Sequence, residues 1–293
     1  MPTGKIIRSI SGFYDILSDE QVYRTRARGN FRKNKIKPIV GDNVEFDENP
    51  GQLGYLTKVL ARKNSLIRPP IANVDQAIVV TSVVEPEFSA ILLDKILLNL
   101  EQNSIKPIIY LSKEDIANQK LERVVDIIKE YEKVYPVIYG SDEDLVQFEQ
   151  IFKDQVTVFT GQTGAGKSTL LNKINPDLDL ETAQISTTLN RGKHTTRQVS
   201  LFTFSGGLIA DTPGFSAIDL RDIKLDELQF LYPEFVKYQD ECKYRSCTHI
   251  NEPNCAVKQA LEEGNISIIR YNDYLTIRKE LEKIKPNYNK KER

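Results

Sequence analysis

The sequence predicts a multidomain α/β protein with an N-terminal β-barrel, a central unit built around a mostly parallel sheet, and a small helical C-terminal unit. Three observations support this prediction. A chain of 293 residues is longer than a typical single domain. The pattern of apolar runs changes after the proline pair at residues 69–70, and strand-like runs stop near residue 225. We therefore place the unit boundaries at 1–68, 69–222 and 223–293.

The composition is that of an ordinary globular protein in water. Apolar residues make up 40% of the chain and charged residues 28%, and no run approaches the ~18 apolar residues of a membrane span. The N-terminus lacks the apolar core and the small-residue cleavage site of a secretory signal. We expect a cytoplasmic monomer without membrane contact.

The first segment predicts a small barrel. Short apolar runs separated by Gly, Asn and Pro recur in GKIIRSISGFYDIL, VYRTRARGNF, PIVGDNVEF and GYLTKVL. Runs of this length and spacing are typical of all-β barrels.

One stretch of this segment is strongly basic, although the formal net charge of the whole chain is −1. No acidic residue interrupts the stretch, and one aromatic ring lies within it. Such a block is either a solvated surface or a binding site for nucleic acid, through phosphate contacts and base stacking. The candidate contacts are Arg24, Arg26, Arg28, Phe31, Arg32, Lys33, Lys35 and Lys37.

The central segment alternates apolar runs with longer amphipathic segments, which predicts βα units. We predict strands at QAIVVTSV, KPIIYLS, KVYPVIY, QVTVFTG, QVSLFTF and GLIADT. Helices are expected at residues 90–102, 118–131 and 167–174, and a polar, mobile loop at residues 181–197. Nearer the C-terminus, VKQALEEG and SIIRYNDYLTIRKELEKI predict two further helices.

A phosphate-binding loop follows the predicted strand QVTVFTG, because the sequence there matches GxxxxGK[ST] and a helix begins directly after it. Glycines let backbone N–H groups close around phosphates, the lysine reaches the β and γ oxygens, and the serine hydroxyl binds Mg²⁺. We expect nucleotide contacts from Gly161, Gln162, Thr163, Gly164, Ala165, Gly166, Lys167, Ser168 and Thr169.

A guanine-reading motif is predicted upstream of this loop. Guanine recognition needs a carboxylate that accepts from the base and a lysine stem over the ring, in the pattern [NT]KxD after a strand. Ser112, Lys113, Glu114 and Asp115 follow KPIIYLS, with Ser112 in place of Asn or Thr. The shorter side chain of Ser112 leaves Lys113 and Asp115 in register. We therefore predict GTP rather than ATP; an exposed charged turn is the alternative.

A third nucleotide motif, DxxG, lies downstream of the loop. Asp211 and Gly214 occupy its fixed positions directly after a predicted strand. In this motif the aspartate reaches Mg²⁺ through water and the glycine N–H approaches the γ-phosphate. The order of base reader, phosphate loop and DxxG differs from that of ordinary GTPases, which place the base reader last. The sequence therefore predicts a circularly permuted P-loop GTPase domain.

Near the C-terminus, four metal-ligand residues lie within fourteen positions: Cys242, Cys247, His249 and Cys255. Three thiolates and an imidazole suit tetrahedral Zn²⁺. Four protein ligands leave no open coordination position, so one structural zinc ion is expected. Three buried structural cysteines are the alternative.

The motifs together resemble the RsgA family, also called YjeQ or YloQ, of circularly permuted GTPases that depend on the small ribosomal subunit. The resemblance rests on RARGNFRK, PIVGDNV, NSLIRPPIANVDQ, GQTGAGKST, RGKHTTR, DTPGF and the Cys/His cluster. It implies an N-terminal OB-fold, a central GTPase domain and a C-terminal zinc domain. It also implies that the protein binds ribosomal RNA of the small subunit late in assembly, with subunit-stimulated hydrolysis of GTP to GDP.

The group that positions water for hydrolysis is expected outside its usual place, because Phe215 follows DxxG and cannot orient water. His194 in the polar loop is the candidate, since an imidazole can orient or accept from water. The resemblance supports it by implying a catalytic histidine in this motif; a solvated loop histidine is the alternative. The expected Mg²⁺ ligands are Ser168, Thr195, Thr196 and Asp211, with either threonine as the loop ligand.

Two other functions are compatible with the sequence. One is a nucleotide-regulated RNA-binding protein in which hydrolysis is incidental. The other is an ATPase, which the presence of Asp115 argues against.

Overall fold

The computed structural model describes residues 1–29, 31, 36–47, 53–67, 69–140, 150–174, 199–211 and 220–284. In this part of the chain, eleven strands form one continuous sheet and two more strands form a short hairpin. None of the helices described there has the length and apolarity that crossing a membrane requires.

The N-terminal unit is a closed barrel of five strands. Each strand pairs with its neighbours in the order β1-β2-β3-β5-β4 and back to β1, and β3 and β5 run parallel. Alternating side chains fill the interior, among them Ile6, Ile16 and Phe46. This is the topology of an OB-fold and confirms the predicted fold class. The strands are β1 (Thr3–Ile10), β2 (Phe13–Ser18), β3 (Gln21–Ala27), β4 (Asn43–Asp47) and β5 (Gly54–Val59).

The barrel packs against the central unit, and residues of both units belong to one hydrophobic cluster. At the end of the hairpin of β6 (Ser65–Ile67) and β7 (Pro70–Ala72), the backbone of Ala72 and Asn73 lies against Gly41 of the barrel unit. Gly41 has φ +87°, and a Cβ there would lie 2.0 Å from the carbonyl oxygen of Ala72, so glycine is required. The Asn73 amide donates to the Gly41 carbonyl at 2.9 Å. In the sheet itself, β1 meets the central unit at one register pair, Arg8 with Ser200.

The central unit is a six-stranded part of the sheet with order β10-β9-β8-β11-β13-β12, and of these six strands β12 alone is antiparallel. Strands β8, β9 and β11 are buried along almost their whole length, as expected for parallel strands covered on both faces. The strands are β8 (Gln76–Ser82), β9 (Lys106–Ser112), β10 (Val137–Tyr139), β11 (Val156–Gly161), β12 (Ser200–Phe204) and β13 (Gly207–Asp211). The helices are α1 (Ala90–Gln102), α2 (Lys120–Glu132) and α3 (Lys167–Ile174).

One predicted strand is much shorter than expected. The run KVYPVIY contributes only Val137–Tyr139, because helix α2 continues to Glu132 and a turn follows. Pro136 has no N–H to donate to a neighbouring strand, although its carbonyl still accepts from Ile109. The mobile loop predicted at residues 181–197 lies outside the described residues.

The C-terminal unit is helical and packs against α1. It contains two short 3₁₀ turns, Leu220–Asp222 and Leu228–Leu231, and three helices: α4 (Pro233–Gln239), α5 (Ala256–Glu262) and α6 (Ile268–Lys283). Its core of aromatic and aliphatic side chains includes Leu98 from α1, so the two units share one hydrophobic cluster. The Gln102 amide also donates to the Asp222 carbonyl at 2.8 Å.

A buried arginine stabilises the contact between α1 and the C-terminal unit. Arg270 of α6 is 1% exposed and binds Asp94 of α1 at 2.5 Å and both carboxylate oxygens of Glu234 at 2.7 and 3.1 Å. Its guanidinium lies over the rings of Tyr131 and Tyr232, 5.3 and 4.8 Å from their centroids. Burial raises the pKa of Asp94 above its usual range, and the neighbouring guanidinium opposes that rise. The ion pairs of Arg270 with Asp94 and Glu234 are shielded from water, and salt therefore screens them little.

We predict that Arg270→Met destabilises the protein by ~3–5 kcal/mol, because it leaves Asp94 and Glu234 buried without their cation. The thermal unfolding midpoint should fall on the order of 10 °C. Lys129→Met is the matched control, since Lys129 pairs with Asp126 at 3.0 Å in an exposed position and such pairs contribute little. Equal midpoints for the two variants would contradict the prediction.

Candidate nucleotide and metal sites

The three nucleotide motifs converge at the carboxyl edge of the parallel strands. The phosphate loop follows β11, the base-reader turn follows β9, and Asp211 ends β13, which lies on the other side of β11. The chain reverses its direction of progress across the sheet between β8 and β11. Ligands of open α/β sheets bind at such a switch point, outside the carboxyl ends of the strands.

Glycine is needed at the start of the phosphate loop for steric reasons. Gly161 has φ +132°, and a Cβ there would lie 2.0 Å from the Val80 carbonyl oxygen. Gly164 and Gly166 also have positive φ, which turns successive N–H groups toward one side of the loop. Residues 162–166 form the turn, and helix α3 begins at Lys167, so Ser168 and Thr169 lie in its first turn. This is the geometry that cradles phosphates.

Lys167 folds back onto the loop. Its ammonium donates to the carbonyls of Gly161 and Gln162, both at 2.7 Å. Burial lowers the pKa of Lys167 to about 8. A polyphosphate in the loop would oppose that effect, because a nearby anion favours the charged ammonium.

Ser112 links the base-reader turn to the phosphate loop. Its hydroxyl donates to the Ala165 carbonyl at 2.6 Å and lies 3.2 Å from the Thr81 carbonyl. Serine is shorter than the Asn or Thr of the motif, but β9 and β11 end close enough together for its hydroxyl to reach Ala165.

The other three base-reader residues have different surroundings. Lys113 has φ +61°, and its ammonium donates to the Glu85 carbonyl. Glu114 accepts from the backbone N–H of Gly140 at 2.6 Å. Asp115 is exposed at the sheet edge.

Several predicted site residues lie outside the described residues: His194, Thr195, Thr196, Gly214, Phe215, Arg32, Lys33 and Lys35. Asp211 is described as the last residue of β13, but its side chain is not. Their predicted roles stay predictions.

The four metal-ligand candidates form one cluster. The ligand atoms of Cys242, Cys247, His249 and Cys255 all lie within 4.8 Å of one another. His249 Nδ1 faces Cys255 Sγ at 3.3 Å and Cys242 Sγ at 3.7 Å. Spacings of this size suit four ligands around one ion with metal–ligand bonds of ~2.0–2.3 Å. The cluster therefore fits a closed structural zinc site.

The surroundings of the cluster hold its backbone in place. The Glu252 carboxylate accepts from the N–H groups of Thr248, Ile250 and Asn251 at 2.8–3.1 Å. These backbone hydrogen bonds offset burial and lower the pKa of Glu252 to about 2. The Tyr271 hydroxyl donates to the His249 carbonyl at 2.7 Å. Helix α6 thus supports both the cluster and, through Arg270, the contact with α1.

The basic stretch of the barrel forms an arginine and aromatic surface. Arg24 and Arg26 lie over the ring of Phe13, at 5.3 and 5.4 Å from its centroid, and Arg28 lies 5.7 Å from that of Tyr55. Phe13, Arg26 and Tyr55 are register partners on the adjacent strands β2, β3 and β5. Neither aromatic residue was predicted from the sequence, because only strand pairing brings them beside the arginines.

The expectation that Phe31 stacks on nucleic acid bases is wrong. Phe31 is 6% exposed and belongs to the hydrophobic core. Its apolar ring therefore packs in the core. The charged residues on either side of it in the sequence had suggested a surface position. Lys37 is exposed, as expected.

Strand β9, which ends in the base reader, comes before strand β11 and its phosphate loop in the chain. Both strands nevertheless end at the same edge of the sheet. The fold and the site therefore define a circularly permuted GTPase. A family model described as RsgA GTPase matches residues 59–221, and another described as RsgA N-terminal domain matches residues 3–56. The chain belongs to the RsgA GTPase family. Membership implies GTP or GDP and Mg²⁺ as ligands.

Similar proteins support this assignment over the whole chain. Proteins named small ribosomal subunit biogenesis GTPase RsgA from Latilactobacillus sakei and Limosilactobacillus reuteri are each 50% identical to it, with 99% of this chain covered and 99% and 100% of theirs. The crystal structure of YloQ, described as a circularly permuted GTPase, is 42% identical with a TM-score of 0.84, covering 98% of this chain and 97% of that one. YjeQ from Thermotoga maritima is 32% identical with a TM-score of 0.85, covering 97% and 99%.

We predict about one zinc ion per chain, as the four-ligand cluster requires. Cys255→Ser should lose most of the zinc and lower the unfolding temperature, because zinc binding of this kind contributes on the order of 10 kcal/mol to folding. Metal analysis of protein purified without chelator measures this, with Ser246→Ala, an exposed non-ligand in the same segment, as control. Absence of zinc from the unchanged protein, or full zinc content in Cys255→Ser, would refute the prediction.

Proposed function

We propose that this chain hydrolyses GTP to GDP and phosphate while bound to the small ribosomal subunit, and that it acts late in the assembly of that subunit. The observation that carries the nucleotide part is the hydrogen bond from Ser112 to Ala165. It holds a base-reader turn and a phosphate loop at one edge of the sheet, where one nucleotide spans both.

The preference for guanine rests on Asp115 and Lys113. An exposed carboxylate next to the phosphate loop accepts from the N1 and N2 donors of guanine, whereas adenine offers an acceptor at N1. The stem of Lys113 lies between the turn and Glu85, where it can cover one face of the base. An ATPase would need a different donor and acceptor pattern at this turn.

Magnesium and hydrolysis are assigned to residues by motif. Ser168, at the start of α3, and Asp211, at the end of β13, lie on neighbouring elements at the same edge of the sheet. One Mg²⁺ ion could therefore be held directly by Ser168 and through water by Asp211. Thr195 or Thr196 supplies a further ligand, Gly214 approaches the γ-phosphate, and His194 orients the attacking water. These last assignments rest on the sequence.

The partner is proposed from two sources. The relatives are named for small ribosomal subunit biogenesis, and the barrel presents arginines over aromatic rings on one face. Arginines neutralise phosphates, and exposed aromatic rings stack on unpaired bases. Ribosomal RNA offers both groups, and binding to ribosomal subunits implies a cytoplasmic location.

The function is tested by phosphate release from GTP and from ATP, with and without purified small subunits. We expect release from GTP, stimulation by subunits, and little release from ATP. His194→Ala should lower turnover by about 100-fold or more, as loss of a group that positions or deprotonates water does, and leave GDP affinity nearly unchanged. Lys129→Ala, on an exposed part of α2, is the control. Unchanged turnover in His194→Ala would refute the assignment of that residue, and equal use of ATP would refute the choice of nucleotide.

The RNA surface is tested by the double variant Phe13→Ala and Tyr55→Ala. Loss of base stacking is expected to weaken binding to small subunits roughly tenfold or more. Val22→Ala is the matched control, because Val22 is also apolar, on the same barrel, and 59% exposed. Filter binding at fixed salt concentration gives both affinities. If the double variant and the control bind equally well, these aromatic residues are not part of the RNA contact.

A further inference from the structure

We propose that this protein binds an extended, basic peptide segment of a partner protein in the cleft between its barrel and its β12–β13 hairpin. The segment adds as a further strand to the free edge of β12. The residues that carry the argument line this cleft, and they are Ile7, Leu17 and Glu20 of the barrel and Asp154, Leu201 and Leu208 of the central unit.

The cleft is distinct from the nucleotide site. Val156 and Gly207, the first residues of β11 and β13, also line it. It therefore lies at the amino ends of these strands, whereas the nucleotide motifs lie at their carboxyl ends. The inference goes beyond the proposed function, because binding of a peptide in this cleft does not depend on which nucleotide the protein uses.

The size and lining of the cleft suit a chain segment. It is an open cavity of about 910 Å³, within the ~300–1,000 Å³ range of ligand-binding clefts. Ile7 and Leu17 on the barrel side and Leu208 on the hairpin side are only half-buried. A segment that covers these side chains removes further apolar surface from water, which favours binding.

The edge of β12 supplies the backbone groups for strand addition. Strands β1 and β12 meet at one register pair, Arg8 with Ser200. Residues 201–204 of β12 pair with β13 on one side, and on the other side the described part of the chain gives them no backbone partner. Alternate residues of an antiparallel strand direct N–H and C=O to the same side. Such an open edge is a template for another strand.

The hairpin wall of the cleft is already fixed. The Asp154 N–H donates to the Gly206 carbonyl at 3.1 Å, and the Leu208 N–H donates to the Gln155 carbonyl at 2.8 Å. A Cβ at Gly207 would lie 1.8 Å from the Phe152 carbonyl oxygen, so the hairpin packs directly on the preceding turn. A wall held in this way needs little ordering when a partner binds, which lowers the free-energy cost of association.

The charges of the cleft indicate the sign of its occupant. Its lining includes three carboxylates, Glu20, Asp75 and Asp154, and one ammonium, Lys5. Asp75 already pairs with Lys63 at 3.1 Å. Glu20 and Asp154 are exposed and remain open to a ligand. Complementary charge selects partners, so lysine or arginine side chains fit this cleft and nucleic acid phosphates do not. Basic arms of RNA-binding proteins have this chemistry.

The experiment uses a synthetic peptide of alternating Lys and Val with blocked ends, about six residues long as a typical strand is. We expect the protein to bind it in calorimetric titration, and amide exchange in residues 201–204 to slow on binding. A peptide with Glu in place of Lys should not bind measurably. N-methylation of alternate peptide nitrogens should weaken binding at least about tenfold, because the hydrogen bonds to β12 are lost.

The charge argument is tested by the double variant Glu20→Gln and Asp154→Asn. It should bind the Lys/Val peptide roughly threefold to tenfold more weakly, as loss of two exposed charge pairs does. Both positions have positive φ, and the substitutions keep the shape of the side chains. The matched control is Glu122→Gln with Asp126→Asn, which removes the same charge from exposed positions on α2, outside the cleft. The control should bind like the unchanged protein.

Several outcomes would overturn the proposal. They are failure of the Lys/Val peptide to bind, equal binding of the Glu/Val or the N-methylated peptide, equal weakening in the control variant, and slowed exchange that spares residues 201–204. Displacement of the peptide by a single-stranded RNA, or by formation of a dimer of this chain in sedimentation, would assign the cleft to another occupant. All titrations are made without nucleotide, so their failure leaves the proposed GTPase function unaffected.

Discussion

Arg270 is buried between Asp94 of the central unit and Glu234 of the C-terminal unit, under aromatic rings from both. Removing such a cation from its buried carboxylates costs about 3–5 kcal/mol. Arg270 therefore attaches the C-terminal unit firmly to α1. Helix α1 in turn starts five residues after Glu85, whose carbonyl holds Lys113.

The rearranged chain order leaves the three-dimensional site intact because the site depends on strand order in space. Strands β9, β8, β11 and β13 lie side by side, and their carboxyl ends form one edge regardless of which strand comes first in the chain. The order does change which element comes after each motif. Strand β13, which ends at Asp211, is followed by the C-terminal unit. In the first described turn of that unit, Leu220–Asp222, the Asp222 carbonyl accepts a hydrogen bond from Gln102 of α1. Helix α1 is therefore connected to the base-reader turn through the segment that contains Glu85, and to strand β13 through the C-terminal unit.

Elements with strong local signals could be predicted from the sequence, and those that depend on distant partners could not. Helix α1 was predicted with its observed bounds, because a serine precedes a periodic apolar run that ends at polar residues. The zinc ligands were found because they are close in the chain. Phe13 and Tyr55 were missed because they become neighbours only through Arg26 on the strand between them. The surface position predicted for Phe31 was wrong, because the charge of the surrounding residues does not determine whether one ring points into the core or into solvent.

The continuous sheet limits how the two ends of the protein can influence each other. Strand β11, which leads into the phosphate loop, and strand β3, which bears the arginines, are five strand steps apart. At ~4.8 Å per step this is about 24 Å along the sheet, or roughly three Debye lengths of ~8 Å at physiological ionic strength. Solvent ions largely screen the lost charge of a departing γ-phosphate over that distance. Within the described residues, the barrel and the central unit are in mechanical contact through the register pair of Arg8 and Ser200 and through the hydrogen bond from Asn73 to Gly41. The β12–β13 hairpin lies between the phosphate-loop strand and the barrel in this sheet, so a displacement of the hairpin would act directly on β1.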